Sequence, residues 1–193
     1  MNKFILIFFG ILSLVLGCYS PPSREIQNQD YFSLTEVSNT SDRVLKLKRL
    51  EEKLEFQVEG TDYVSFKFVV IEALKGSSKK DDKLFVTFSQ KDLRNLYVEN
   101  NNQFESYTNN FQNSNNYIFF LMGRAKNNTF PKELGGSLWF KNGNPSLFQI
   151  KENSIKIIVD KKFKEKTNDF FGFSEISTMN EQVFIEKVGL INE

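Results

Sequence analysis

The run from Tyr63 to Leu74, YVSFKFVVIEAL, narrows the choice of fold more than any other stretch of the chain. Aromatic and β-branched side chains lose rotamer freedom in a helix but sit well on a pleated strand, and Lys75-Gly76-Ser77-Ser78 closes the run as a turn. Two-residue alternation puts Phe66, Phe68 and Val70 on one face, while Val69 and Ile71 keep the other face from being purely polar. Leu84 to Phe88 (LFVTF) repeats the pattern after a charged turn. Tyr117 to Met122 (YIFFLM) is apolar almost throughout, as expected of a central strand covered on both faces. The expectation is a mainly β domain, a barrel or a sandwich.

Smaller elements fill the gaps. Val44 to Leu50 alternates and Leu54 to Val58 alternates again, which predicts a first hairpin. Leu47, Leu50 and Leu54 also fall at helical spacing, so one amphipathic helix from Arg43 to Leu54 is the alternative. From Gln90 to Val98, Leu93, Leu96 and Tyr97 are spaced for a short helix after the third strand. A meander is expected next: Ser137 to Lys141, a turn at Asn142-Gly143-Asn144-Pro145, a return over Ser146 to Ile150, and Glu152-Asn153 leading into Ile155 to Val159. Thr178-Met179-Asn180-Glu181 has the form of a capping box before a C-terminal helix reaching about Gly189, with Val183, Phe184 and Val188 as its apolar stripe.

The N-terminus follows a different plan. Lys3 precedes FILIFFGILSLVL at Phe4 to Leu16, a charged start and apolar core that mark an export signal. The run is too short for a spanning helix, which needs roughly 20 apolar residues. Leu14-Val15-Leu16-Gly17-Cys18 resembles the lipobox of bacterial lipoproteins, with Val15 and Gly17 at the matching places and Leu16 bulkier than the usual occupant. The resemblance implies removal of residues 1–17, a diacylglyceryl thioether on Cys18, a further acyl chain such as palmitate, and anchoring in a membrane. The plain alternative is that Cys18 merely ends the apolar run. Tyr19-Ser20 carries no aspartate at the second place, which for such lipoproteins implies the outer membrane. Residues 18–42 then read as a lipidated cysteine and flexible tether, from which Tyr31, Phe32 and Leu34 are able to dock, and residues 43–193 as a single domain.

Composition removes several chemistries. Cys18 is the only cysteine, so no internal disulfide can form. The chain has no histidine, which excludes Ser-His-Asp catalysis, histidine-ligated zinc and imidazole pH sensing. No cofactor or metal is implied. Losing Lys3 with the signal balances the remaining charges, so nothing points to nucleic acid. Lys161, Lys162, Lys164 and Lys166 are interrupted by acids and read as a solvated loop or strand edge before a patch for polyanions or lipid headgroups. A glycosidase needs only two carboxylates, for which Glu72, Glu133 and Glu152 are conceivable; each is more simply a strand-edge or turn residue.

Residues 99–116, ENNNQFESYTNNFQNSNN, contain eight asparagines and read as a loop. Phe104, Tyr107 and Phe111 within it are candidate ligand-binding residues, with packing down as lids over the core as the alternative. Trp139, Phe140 and Phe148 are core candidates first and ligand-stacking residues second.

The succession "VIEALKG", "KLFVTFS", short helix, "YIFFLM" and meander, from Tyr63 to about Ile157, resembles the OB-like barrel of netrin-type modules and tissue inhibitors of metalloproteinases. The resemblance implies topology only. The cysteines of secreted members are absent, and acylation of Cys18 would block the free cysteine amine that such inhibitors use. The function expected is non-enzymatic binding by a membrane-anchored module, with a protein, host component or envelope polymer as ligand. A structural or assembly factor, or a carboxylate-based polysaccharide hydrolase, are the alternatives.

Overall fold

The computed structural model describes residues 33–100, 103–107, 111–112, 115–125, 130–134, 137–161, 163, 176 and 179–191. Its nine strands are β1 (Arg43–Val58), β2 (Thr61–Lys75), β3 (Lys83–Ser89), β4 (Leu96–Asn100), β5 (Gln103–Ser106), β6 (Asn116–Ala125), β7 (Ser137–Lys141), β8 (Leu147–Lys151) and β9 (Ser154–Asp160). Helices α1 (Leu34–Thr40), α2 (Gln90–Arg94) and α3 (Glu181–Ile191) join them, with one 3-10 turn at Lys132–Leu134.

β1 pairs antiparallel with β2 along one edge and with β6 along the other. β2 pairs with β3 and β6 with β7, both antiparallel. A short parallel contact, Val86 to Trp139 and Thr87 to Phe140, then joins β3 to β7. The ring β1-β2-β3-β7-β6 has the strand order of a five-stranded OB barrel, with the short helix after the third strand and a helix at the C-terminus. β8, β9, β4 and β5 extend the sheet beyond β6.

β6 separates two cores. Tyr117, Phe119 and Leu121 point into the barrel, while Ile118 and Phe120 join α1, α3, Phe148 and the outward side chains of β9. All five are fully buried, as the uninterrupted apolar run predicts. One end of the barrel is closed by Trp139, half-buried, whose ring lies on Gly123 and under the Arg43 guanidinium at 4.1 Å. A Cβ on Gly123 would stand 2.8 Å from that ring, so any side chain there would push Trp139 off its seat.

Several expected elements form differently. The first hairpin does not turn near residues 51–53; β1 runs on to Val58 and turns at Glu59 and Gly60, both at positive φ. The break in alternation is a bulge between Arg49 and Lys53, stitched by Arg49, whose Nη1 donates to Glu52 O and Nη2 to Glu51 O. α2 stops at Asn95, and Leu96 opens β4 against β9, so the helical spacing of Leu96 and Tyr97 is coincidental. Part of the asparagine-rich stretch is the β4–β5 hairpin rather than loop.

β7 and β8 do not pair with each other. Both lie antiparallel to β6, in succession, and Phe120 bonds to the two ends of the excursion between them: its N–H donates to Ser146 O and its C=O accepts from Asn142 N–H. A two-residue hairpin of this kind needs positive φ at both central residues; Gly143 has it (64°) and Asn142 does not, so the chain bulges out without reversing. Glu152 and Asn153, at 51° and 63°, do make such a turn between β8 and β9.

Ser33, inside the stretch expected to be tether, precedes α1. Its Oγ accepts the Glu36 N–H as the cap of α1, and Leu34 and Val37 are buried in the second core. Tyr31 and Phe32 lie outside the described residues, as does Thr178 of the expected capping box. Asn180 caps α3 instead, its Oδ1 accepting the Val183 N–H. Phe184 and Val188 are buried, whereas Val183 is 45% exposed and leaves the expected stripe.

Candidate functional site

Past the Arg49–Lys53 bulge, β1 has lost β6 as a neighbour and continues as the edge strand of an arm with β2, which β3 still flanks from Tyr63 to Phe66. The pleat sorts its side chains. Leu54, Phe56 and Val58 stand opposite Ser65, Tyr63 and Thr61 on one face, and Lys53, Glu55 and Gln57 opposite Phe66, Val64 and Asp62 on the other. The first face continues over the outside of the barrel through Lys67 and Phe85, which are paired between β2 and β3, to Phe140 on β7. Phe130 and Leu134, from the β6–β7 connection, pack onto it.

The result is an aromatic face that the structure leaves partly open. The Phe56 and Tyr63 rings stack, with centroids 5.5 Å apart and planes 17° apart. Phe130 meets Phe56 edge-on at 6.4 Å, and Phe140 meets Tyr63 edge-on at 6.5 Å. Phe140 and Leu134 are buried beneath; Phe56, Tyr63, Phe85 and Phe130 are half-buried. Lys67 lies with Nζ 5.3 Å from the Phe85 ring centre and 2.5 Å from Glu52 Oε2. Ser65 and Thr87 hydroxyls bond each other at 2.7 Å below the rings. Flat π-faces beside a paired lysine and glutamate suit the capture of apolar or aromatic groups. In OB barrels the face of strands 2 and 3, with the loops after strands 1 and 4 of the ring, is the usual ligand surface, and this patch occupies that position.

The candidates named from the sequence lie elsewhere. Tyr107 and Phe111 are buried in the barrel mouth, so no free surface is offered by either. Phe111, at φ 59°, inserts among Phe66, Phe88, Tyr117 and Phe119, with its centroid 4.9 Å from that of Phe88. Tyr107 Oη lies 2.9 Å from Tyr117 Oη, and burial drives both phenols above the ordinary tyrosine range. This is the lid-over-core arrangement. Phe104 is on β5 opposite Glu99, with its side chain outside the described residues. Cys18 is outside them too, as are Lys162, Lys164 and Lys166; Lys161 is exposed. Glu72, Glu133 and Glu152 are exposed on β2, the 3-10 turn and the β8–β9 turn. Phe148 is core, Trp139 closes the barrel end, and Phe140 underlies the aromatic face.

Arg49 also faces the barrel mouth. Its guanidinium sits 4.8 Å from the Phe66 ring centre, and desolvation lowers its pKa. The carbonyls of Glu51, Glu52 and Lys67 account for its Nη donors, which makes it a clasp on the bulge.

The pairing of Phe56 with Tyr63 is what sequence reasoning misses. The signal was present in Glu59-Gly60, since a two-residue turn there puts those rings opposite each other on one face. Among the described residues, no cluster of three or more acidic or cysteine side chains could hold a metal ion. No protein-family model matches the chain, and no curated protein is similar to it.

Proposed function

We propose that the chain is an exported lipoprotein, held to the outer membrane by lipid on Cys18, whose barrel is a non-enzymatic binding module. The observation that supports it is the half-buried aromatic face of Phe56, Tyr63, Phe85 and Phe130 at the ligand position of an OB barrel. Part-exposed aromatic rings anchored from below are the side chains that dominate recognition of proteins, because covering them removes more apolar area without a large loss of rotamer freedom. The ligand is a protein surface that offers apolar or aromatic side chains. Fold alone does not assign this role; the side chains on the face do.

The anchor is tested by labelling cells with a fatty acid beside a Cys18→Ala control. Label that depends on Cys18 supports the lipoprotein reading, and its absence removes it. The face is tested with a photoreactive phenylalanine analogue at Phe56, illuminated on intact cells in the presence of extracellular host proteins. A discrete cross-linked partner is expected, with none from the same analogue at Glu72; equal yields from both positions would remove the aromatic face as the site.

A further inference from the structure

The excursion Asn142–Ser146 holds a buried constellation that the aromatic face does not use. Lys141, at the end of β7, and Asp160, at the end of β9, are each 9% exposed, and Asn144 is fully buried between them. Lys141 Nζ lies 2.7 Å from Gly143 O and 3.1 Å from Asn144 Oδ1. The same Oδ1 accepts the Asp160 backbone N–H at 3.3 Å. Asn144 Nδ2 donates to Asp160 Oδ2 at 2.5 Å, and Phe163 N–H donates to Asp160 Oδ1 at 2.9 Å.

As a static network this is a lysine and an aspartate bridged by an amide. As chemistry it is an amine next to an amide carbonyl, a backbone donor on the oxygen where negative charge would develop, and a carboxylate on the nitrogen that would leave. Lysine becomes a nucleophile where burial or a neighbouring base takes its proton, and a fixed N–H on a developing oxyanion is among the strongest aids to acyl transfer.

We propose that Lys141 and Asn144 become joined by an isopeptide bond that the folded chain forms by itself, with Asp160 as proton carrier. The ammonium first gives one proton to solvent. The Nζ lone pair then attacks Asn144 Cγ, and the carbonyl π electrons move to Oδ1, held by the Asp160 N–H. Asp160 takes a second proton from Nζ and delivers it to Nδ2. The electron pair on Oδ1 re-forms the carbonyl, the Cγ–Nδ2 bond breaks, and ammonia leaves. One amide replaces another, nothing is oxidised or reduced, and no co-reactant enters. In a chain whose one cysteine forms no internal disulfide, such a bond would fix the excursion covalently to the end of β7.

The test is a tryptic digest of the purified full chain, read by mass. The expected result is one peptide spanning 133–151, uncut after Lys141 and lighter than its sequence by one ammonia. An imide at Asn142-Gly143 would also lose ammonia, but it would leave Lys141 cleavable and would persist in Lys141→Arg. A peptide of full mass cut after Lys141, or a deficit that survives Lys141→Arg, overturns the proposal. Asp160→Asn is expected to leave the bond unformed; formation at an unchanged rate would remove Asp160 as the carrier. The unsubstituted chain decides the existence of the bond, whatever the variants do to folding.

Discussion

The barrel interior and the outer face of the β1–β2 arm are built from the same kinds of side chain and hold them in opposite ways. Inside, Phe68, Phe111, Tyr117 and Phe119 are buried, and their rings meet tilted or edge-on at 5.2 to 6.1 Å. Outside, Phe56 and Tyr63 stack nearly parallel with their edges in solvent. One strand serves both: on β2, Val64, Phe66 and Phe68 go in while Tyr63 and Lys67 go out. Parity along the strand, rather than aromatic content, decides whether a ring is core or contact surface.

That contrast can be broken most forcefully at the centre. Phe119→Ala should cost about 3–5 kcal/mol, a large share of the stability of a domain this size, and should lower the urea midpoint sharply. A loss below about 1 kcal/mol would mean the interior is not the close-packed unit described. Gly123→Ala should cost about 1–3 kcal/mol, because Trp139 must move off its seat and out from under Arg43. Quenching of the single tryptophan's fluorescence by iodide should rise with it.

A polar change inside should be smaller. Tyr107→Phe removes one buried hydroxyl bond to Tyr117 and should cost about 1 kcal/mol near neutral pH. Both phenols are raised in the folded state, so their contribution is fully present below the ordinary tyrosine pKa of about 10. It is lost as pH climbs past that value, where the unfolded chain ionises and the folded one does not. Stability against denaturant between about pH 9 and pH 11 should therefore fall less steeply in Tyr107→Phe than in the unsubstituted chain. Smallest of all, Phe56→Ala should cost about 1 kcal/mol or less while abolishing the photo-cross-linked partner captured from a neighbouring position such as Phe130. An unfolding effect as large as that of Phe119→Ala would make the arm part of the core.

Much of the barrel is legible in the sequence where burial on both faces removes ambiguity. β6 needs no alternation to be recognised, because every side chain from Tyr117 to Leu121 is enclosed. β2 and β3 are legible by two-residue alternation and by their aromatic and β-branched content instead. Reading fails where a local pattern has two physical meanings. Leu93 and Leu96 are three apart, as on a helix, but Leu96 is buried through β4 and Leu93 through α2. Asn142-Gly143 looks like a hairpin tip, yet the Asn142 side chain is drawn onto α1, where Nδ2 donates to Thr40 Oγ1 and Ser41 Oγ, both at 2.9 Å. Such tertiary claims on a turn residue leave no trace in its neighbours. The aromatic face was missed because its rings come from four elements, β1, β2, β3 and the β6–β7 connection, and adjacency across a ring of strands is fixed by closure.

The length of β1 has a mechanical consequence. The chain leaves α1 at Thr40, enters β1 at Arg43, and reaches Phe56 without reversing direction. For a domain held at its N-terminus and gripped at the arm, tension runs along one strand already extended at about 3.3 Å per residue, with slack only in the bulge after Arg49. The other four strands of the ring lie beside that line of force, so a load applied between the ends of β1 reaches the core only through its ladders with β2 and β6.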